Sequence, residues 1–165
     1  MICNSKINTP EVNNWRQSGQ IFLWRYKENL RNYPGWNLTA DNNGGRSLSD
    51  LLDRMEKSIY PCLRTIKISK PDDKILKIPN NKGGRAGWYS PNTFKLRYVN
   101  DNAKNYWDFE ENGKNLLLSV NKKELSELKK GILGILKGCG DYSIGPDTKE
   151  RNNKNIRLWL WWYVR

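Results

Sequence analysis

Asn42-Asn43-Gly44-Gly45-Arg46 and Asn80-Asn81-Lys82-Gly83-Gly84-Arg85 are near copies of one another, differing by one inserted lysine. Paired glycines let successive backbone N–H groups converge on one point, because they accept positive φ without a side-chain clash. An arginine beside such a nest adds a planar fork of donors matched to phosphate or carboxylate. In the first copy Ser47 follows as a helix N-cap, with Asp50 at the capping-box position three residues on. That loop is therefore expected to open onto a helix N-terminus, whose unpaired N–H groups and dipole favour an anion. Neither copy has the glycine spacing of a P-loop or of a dinucleotide fingerprint. The same residues also fit a plainer role, as two Asn-Gly turns on the surface.

Aromatic and basic residues interleave next to the second copy. Lys82, Arg85, Trp88 and Tyr89 fall close together, and Lys95, Arg97 and Tyr98 follow. Exposed rings beside a row of bases would suit stacked nucleobases and a phosphate track. Farther on, Asp141 sits in the turn Cys139-Gly140-Asp141-Tyr142-Ser143. It is expected to organise that turn by accepting backbone N–H bonds, or to hold a ligand hydroxyl or one of the loop arginines. The candidate ligand-binding set is thus Gly44, Gly45, Arg46, Ser47, Lys82, Gly83, Gly84, Arg85, Trp88, Tyr89 and Asp141.

Catalytic chemistry is harder to assemble. The chain contains no histidine, which removes Ser-His-Asp and Cys-His catalysis and the commonest metal ligand. Cys3, Cys62 and Cys139 have no metal-ligand or CxxC spacing. Cys139 stands at a helix C-terminus, which disfavours thiolate. Asp72-Asp73 and Glu110-Glu111 are adjacent, so in extended chain their side chains diverge rather than form an acid–base dyad. No catalytic residue, metal site or cofactor is expected, and the chain leans toward a non-enzyme, with an enzyme that works through Lys, Tyr, Asp or Cys left as a third option.

The 165 residues carry 29 Lys and Arg against 17 Asp and Glu, a formal charge of +12. Such an excess favours anionic partners: nucleic acid, phosphorylated small molecules or an acidic protein. Eleven basic and three acidic residues lie between Lys57 and Lys104, so +8 of the +12 is concentrated there. The abundance of Lys and Asn is also what an A/T-rich coding composition would give. Three sparse cysteines suggest a reducing compartment, and the first twenty residues lack the apolar core of a signal peptide. The longest apolar run, Leu158 to Val164, is too short to span a bilayer. The sequence therefore predicts a cytoplasmic protein without a membrane role.

The elements that would position these groups are legible as periodicities. Ile21–Tyr26 reads as a buried strand, and Trp36–Ala40 as its neighbour after the Tyr33-Pro34-Gly35 turn. Leu48, Leu51, Leu52, Met55 and Ile59 mark one face of a first helix, closed by Pro61. Arg64–Ile68 is expected to be a half-exposed strand with bases outward, and Ile75–Ile78 a short strand. Phe94–Val99 alternates, with Lys95 and Arg97 on one face. Trp107–Glu111 and Asn115–Val120 flank Asn112-Gly113, the clearest hairpin turn. Asn121 with Glu124 begins a second helix ending at Gly138, and Gly131 and Gly134 inside it point to close packing on a strand. Arg157–Val164 closes the chain as a bulky central strand.

The expected fold is α+β: a single curved, mostly antiparallel sheet with two helices packed on one face. Residues 1–165 form one domain in this reading, with residues 1–20 a loosely ordered arm pinned by Trp15. Two functions fit it. One is a binding domain for a phosphate-bearing anion, a nucleotide or oligonucleotide, held by the Gly-Gly-Arg loops. The other is a protein–protein interaction module, such as an inhibitor, adaptor or immunity-type protein, for an acidic partner. Sequence alone leaves the oligomeric state open.

Overall fold

In the computed structural model the described residues are 9–27, 35–79, 87–101, 106–140, 142–145 and 156–163. Four helices and nine strands follow one another: α1 (Pro10–Asn13), β1 (Ile21–Tyr26), β2 (Gly35–Ala40), α2 (Asn42–Glu56), β3 (Cys62–Ile66), α3 (Asp73–Leu76), β4 (Trp88–Tyr89), β5 (Thr93–Tyr98), β6 (Trp107–Asn112), β7 (Asn115–Val120), α4 (Lys122–Leu136), β8 (Tyr142–Ile144) and β9 (Arg157–Leu160). The fold is α+β, but the strands divide into two mixed sheets instead of one. A five-stranded sheet has the order β4-β1-β2-β9-β8, and a four-stranded sheet the order β3-β5-β7-β6. Each contains one parallel pair, β2 with β9 and β5 with β7, among antiparallel neighbours.

The split follows from how much surface each strand must bury. In β1 every residue except Arg25 is buried, so both faces of the five-stranded sheet need cover. Ile21, Leu23, Trp36, Leu38, Leu158 and Leu160 point into a main core shared with both long helices and the four-stranded sheet. Phe22, Trp24, Tyr26 and Trp161 point the other way and are covered by Ile75 and Leu76 of α3. The expected strand at Ile75–Ile78 is therefore a helical turn, begun by Asp72, whose Oδ1 accepts from Ile75 N–H at 3.0 Å. The four-stranded sheet is most clearly one-sided at β5. Along β5, Phe94, Leu96 and Tyr98 are buried while Lys95 and Arg97 are exposed.

The helices α2 and α4 pack on each other, and Lys129 of α4 is paired with Asp53 of α2. Gly131 of α4 lies against β8 and β9, where a Cβ would stand 2.0 Å from Leu160 Cδ1. Close packing on a strand is thus the reason for that glycine. Gly138 ends the helix region with φ +79°, and Gly113 turns the β6–β7 hairpin with φ +62°. At the N-terminal side, Val12 and Trp15 are fully buried, and Trp15 Nε1 donates to Ser47 O at 2.7 Å. Val12 and Trp15 thus anchor a segment, residues 9–20, that is otherwise mostly exposed, with Trp15 as the pin. Arg64 faces inward beside Cys62 and Ile66, contrary to the bases-outward expectation. Its guanidinium lies 5.2 Å from the Trp15 ring and donates to the carbonyls of Val12, Asn13 and Trp15.

Candidate functional site

The first Gly-Gly-Arg copy is not a loop. Helix α2 begins at Asn42, with Asp41 as N-cap in extended conformation, so Gly44, Gly45, Arg46 and Ser47 all lie within its first two turns. Asp41 Oδ1 accepts from Gly44 N–H at 2.7 Å and from Gln20 N–H at 3.0 Å. An aspartate one residue before the Asn pair is the cap that Ser47 was expected to provide. Ser47 is instead buried, its hydroxyl donating to Ser18 O at 3.0 Å.

Both glycines are explained by contact distance. A Cβ on Gly44 would stand 2.1 Å from Gln20 O, and one on Gly45 2.9 Å from Leu136 Cδ2. The chain at residues 18–20 crosses directly over the first helical turn, and α4 presses on the second. Gly19, at φ +70°, makes that crossing. The helix end that was expected to hold an external anion already carries a carboxylate from within the chain. Of Gly44, Gly45, Arg46 and Ser47 only Arg46 is exposed.

The second copy, Lys82, Gly83, Gly84 and Arg85, lies outside the described residues, as does Asp141. Trp88 and Tyr89 are described and form β4, paired with Tyr26 and Arg25 at the far end of β1. Both rings are half-buried framework. Trp88 packs on the smaller apolar cluster, and Tyr89 meets Trp36 edge-on at 5.5 Å. Burial pushes the Tyr89 hydroxyl above its ordinary pKa, partly opposed by neighbouring Arg25. Since Gln20 abuts Asp41 and Gly44 while Tyr26 abuts Trp88, β1 separates the two parts of the candidate site. The six residue steps from Gln20 to Tyr26 amount to about 20 Å of extended chain. Arg46 and Ser47 are thus not brought together with Trp88 and Tyr89.

Other candidates resolve into structural roles. Tyr98 is buried in the main core, so it offers no ring for base stacking. Cys62 is buried and its thiol is pushed up to about 11 by that burial, which makes it a poor nucleophile; Cys139 is exposed. Glu111 pairs with Arg25 at 3.1 Å and ties β6 to the other sheet, while Glu110 points to solvent. Among the described residues no group of three or more His, Cys, Asp or Glu could hold a metal ion. A cavity of about 480 Å³ between α1 and α2 is lined by Thr9, Pro10, Glu11, Asn14, Arg54 and Lys57. Its guanidinium is engaged by Asp50 at 3.1 Å and by Glu11 O at 2.7 Å.

What remains is a surface that sequence reading only half delivered. On the outer face of the four-stranded sheet, Leu63, Arg97, Ser119 and Asp108 stand in one cross-strand row, with Ser119 buried and Asp108 half-buried, and Thr65, Lys95, Leu117 and Glu110 in the next. Lys95 and Arg97 are exposed and form no ion pair with a described residue. A basic band on β5 therefore runs beside an acidic band on β6, two strand spacings or about 10 Å away. The outward pair on β5 was legible from alternation. The acidic band beside it required the parallel β5–β7 register, which joins strands that local patterning does not connect. Compared with known proteins, the chain matches no family model, no curated protein and no solved structure.

Proposed function

We propose that the protein is a non-enzymatic interaction module whose partner is an acidic protein, docked on the outer face of the four-stranded sheet. The observation that supports this reading is the pair of charged bands, Lys95 and Arg97 beside Asp108 and Glu110. A formal charge of +12 draws an acidic partner from a distance, and a face of mixed sign then selects its orientation. A phosphodiester backbone offers only negative charge, so Asp108 and Glu110 count against nucleic acid at this face. A small phosphate-bearing ligand is disfavoured for another reason. Its best local argument, a free helix N-terminus at Gly44 and Gly45, meets the Asp41 carboxylate there.

The test is chemical cross-linking in native cells followed by purification, comparing the wild type with a Lys95→Glu, Arg97→Glu double variant. An acidic protein recovered in stoichiometric amount with the wild type and lost from the variant is the expected result. Equal recovery with both removes this face from the interface. The competing function has its own readout. A nucleotide at about 100-fold excess over its affinity should stabilise the fold by about 2.7 kcal/mol if it binds. A melting shift of that size would favour the phosphate ligand instead.

A further inference from the structure

We infer that Asn112 is a site of spontaneous deamidation, at which the side chain loses ammonia and the protein gains a negative charge. An asparagine followed by glycine is open to this reaction, because glycine has no side chain to hinder attack by its own backbone nitrogen. The chain contains two such dipeptides, Asn43-Gly44 and Asn112-Gly113, and sequence alone does not tell them apart. The nitrogen of the glycine attacks Cγ of the asparagine and closes a succinimide ring. The side-chain NH2 departs with the proton lost by that nitrogen, as ammonia. Water then opens the ring at either carbonyl, leaving aspartate or its β-linked isomer, isoaspartate.

The fold separates the two dipeptides. Gly44 N–H donates to Asp41 Oδ1 at 2.7 Å in the first turn of α2. Gly44 is also buried, with Gln20 O so near that a Cβ would stand 2.1 Å from it. Attack there requires that bond to break and the turn to unwind. Gly113 is placed in the opposite way. Asn112 pairs with Asn115, so Gly113 and Lys114 are the central residues of a tight turn, with positive φ at the glycine alone. That is the type II′ pattern, which leaves the first central N–H outside the ladder. Gly113 N–H donates to no described residue. Asn112 and Gly113 are both exposed, and a Cβ on Gly113 would meet nothing within 4 Å. The turn is held through Lys114 O, which accepts from Asn92 N–H at 2.8 Å and leaves the reacting atoms free.

By strand alternation Asn112 lies on the same face as Asp108 and Glu110, roughly 7 Å beyond Glu110. Its new carboxylate lengthens the acidic band, and the β-linked isomer adds a backbone carbon at the closing pair of the hairpin. What this does to partner binding rests on the docking face proposed above, whereas the reaction itself does not. Incubating the folded protein at mildly alkaline pH, followed by peptide mass mapping, is the test. Asn112 should exchange NH2 for OH and yield both isomers while Asn43 keeps its amide; in denaturant both should convert. Asn112→Gln, which would have to close a larger ring, should remove conversion at the hairpin without changing the melting temperature. An Asn112 that stays intact in the folded protein while converting in denaturant overturns the inference. So does an Asn43 that converts in the folded protein as fast as Asn112. Neither result bears on docking, which the Lys95→Glu, Arg97→Glu variant reads separately.

Discussion

Gly131 and Gly134 occupy the same helix three residues apart, yet their surroundings demand opposite outcomes on substitution. A methyl group at Gly131 would meet Leu160 Cδ1 at 2.0 Å and Tyr142 Cδ1 at 3.0 Å, inside a packed contact between α4 and two strands. At Gly134 the nearest atom is Cys139 Cβ at 3.8 Å, an ordinary contact. Alanine gains about 1 kcal/mol over glycine in a helix interior, whereas overpacking a core costs about 1–3 kcal/mol. Gly134→Ala should therefore raise stability by up to about 1 kcal/mol, and Gly131→Ala should lower it by up to about 2 kcal/mol net. Urea unfolding of the two variants side by side checks both signs. Gly44→Ala belongs with Gly131, because the opposing atom is a backbone oxygen at 2.1 Å that cannot rotate away. Asp41→Ala removes the acceptor of two backbone N–H groups and should cost about 1–2 kcal/mol.

At the scale of elements, what the sequence disclosed was period, and what it concealed was partnership. The apolar face of α2 at Leu48, Leu51, Leu52 and Met55, that of α4, the alternation of β5 and the Asn112-Gly113 hairpin follow from local pattern and are present, whereas Ile59, read onto the first of these faces, lies beyond the helix end at Glu56 and is exposed. The start of α2 was read six residues late because Gly44 and Gly45 look like loop. Their low helix propensity is outweighed by the close crossing of residues 18–20, a contact no local window contains. Arg64 was placed outward by its charge, although its spacing from Cys62 and Ile66 puts all three on one side of β3. The charge is met there by the Val12, Asn13 and Trp15 carbonyls, so the guanidinium clamps α1 and the segment after it onto β3. Hydrogen bonds to a charged group contribute about 1.5–3 kcal/mol. Arg64→Ala should lose about that much, and limited proteolysis should then cut between residues 9 and 16 before the rest of the chain. Simultaneous cleavage throughout would show that the clamp is not a local one.

For the molecule as a whole, the two parallel pairings decide the architecture. β9 inserts between β2 and β8, and β5 lies between β3 and β7, so each sheet closes only when distant segments meet. A single antiparallel meander would have needed none of this, which is why local pattern suggested one sheet. The shared core that results places Cys62 opposite Tyr98 in the β3–β5 register, and burial raises the pKa of both groups. The consequence is a whole-molecule pH dependence with a definite sign. An acid whose pKa is raised by folding holds its proton more tightly in the native state than in the unfolded one. Its contribution is complete below the ordinary thiol value of 9.0 and is lost as pH rises toward about 11. A shift of this size is worth about 2–3 kcal/mol, and Tyr98 adds to the loss in the same direction. Lysine deprotonation in the same range relieves the self-repulsion of a chain with a formal charge of +12 and acts the opposite way. The thiol is therefore isolated by difference. Cys62→Ala should be less stable than the wild type at neutral pH because it leaves a cavity in the core. Between about pH 8 and pH 11 the gap between the two proteins should narrow by about 2–3 kcal/mol. Denaturant titrations across that range measure it, and two parallel stability curves would mean that Cys62 ionises no differently in the fold than in the open chain.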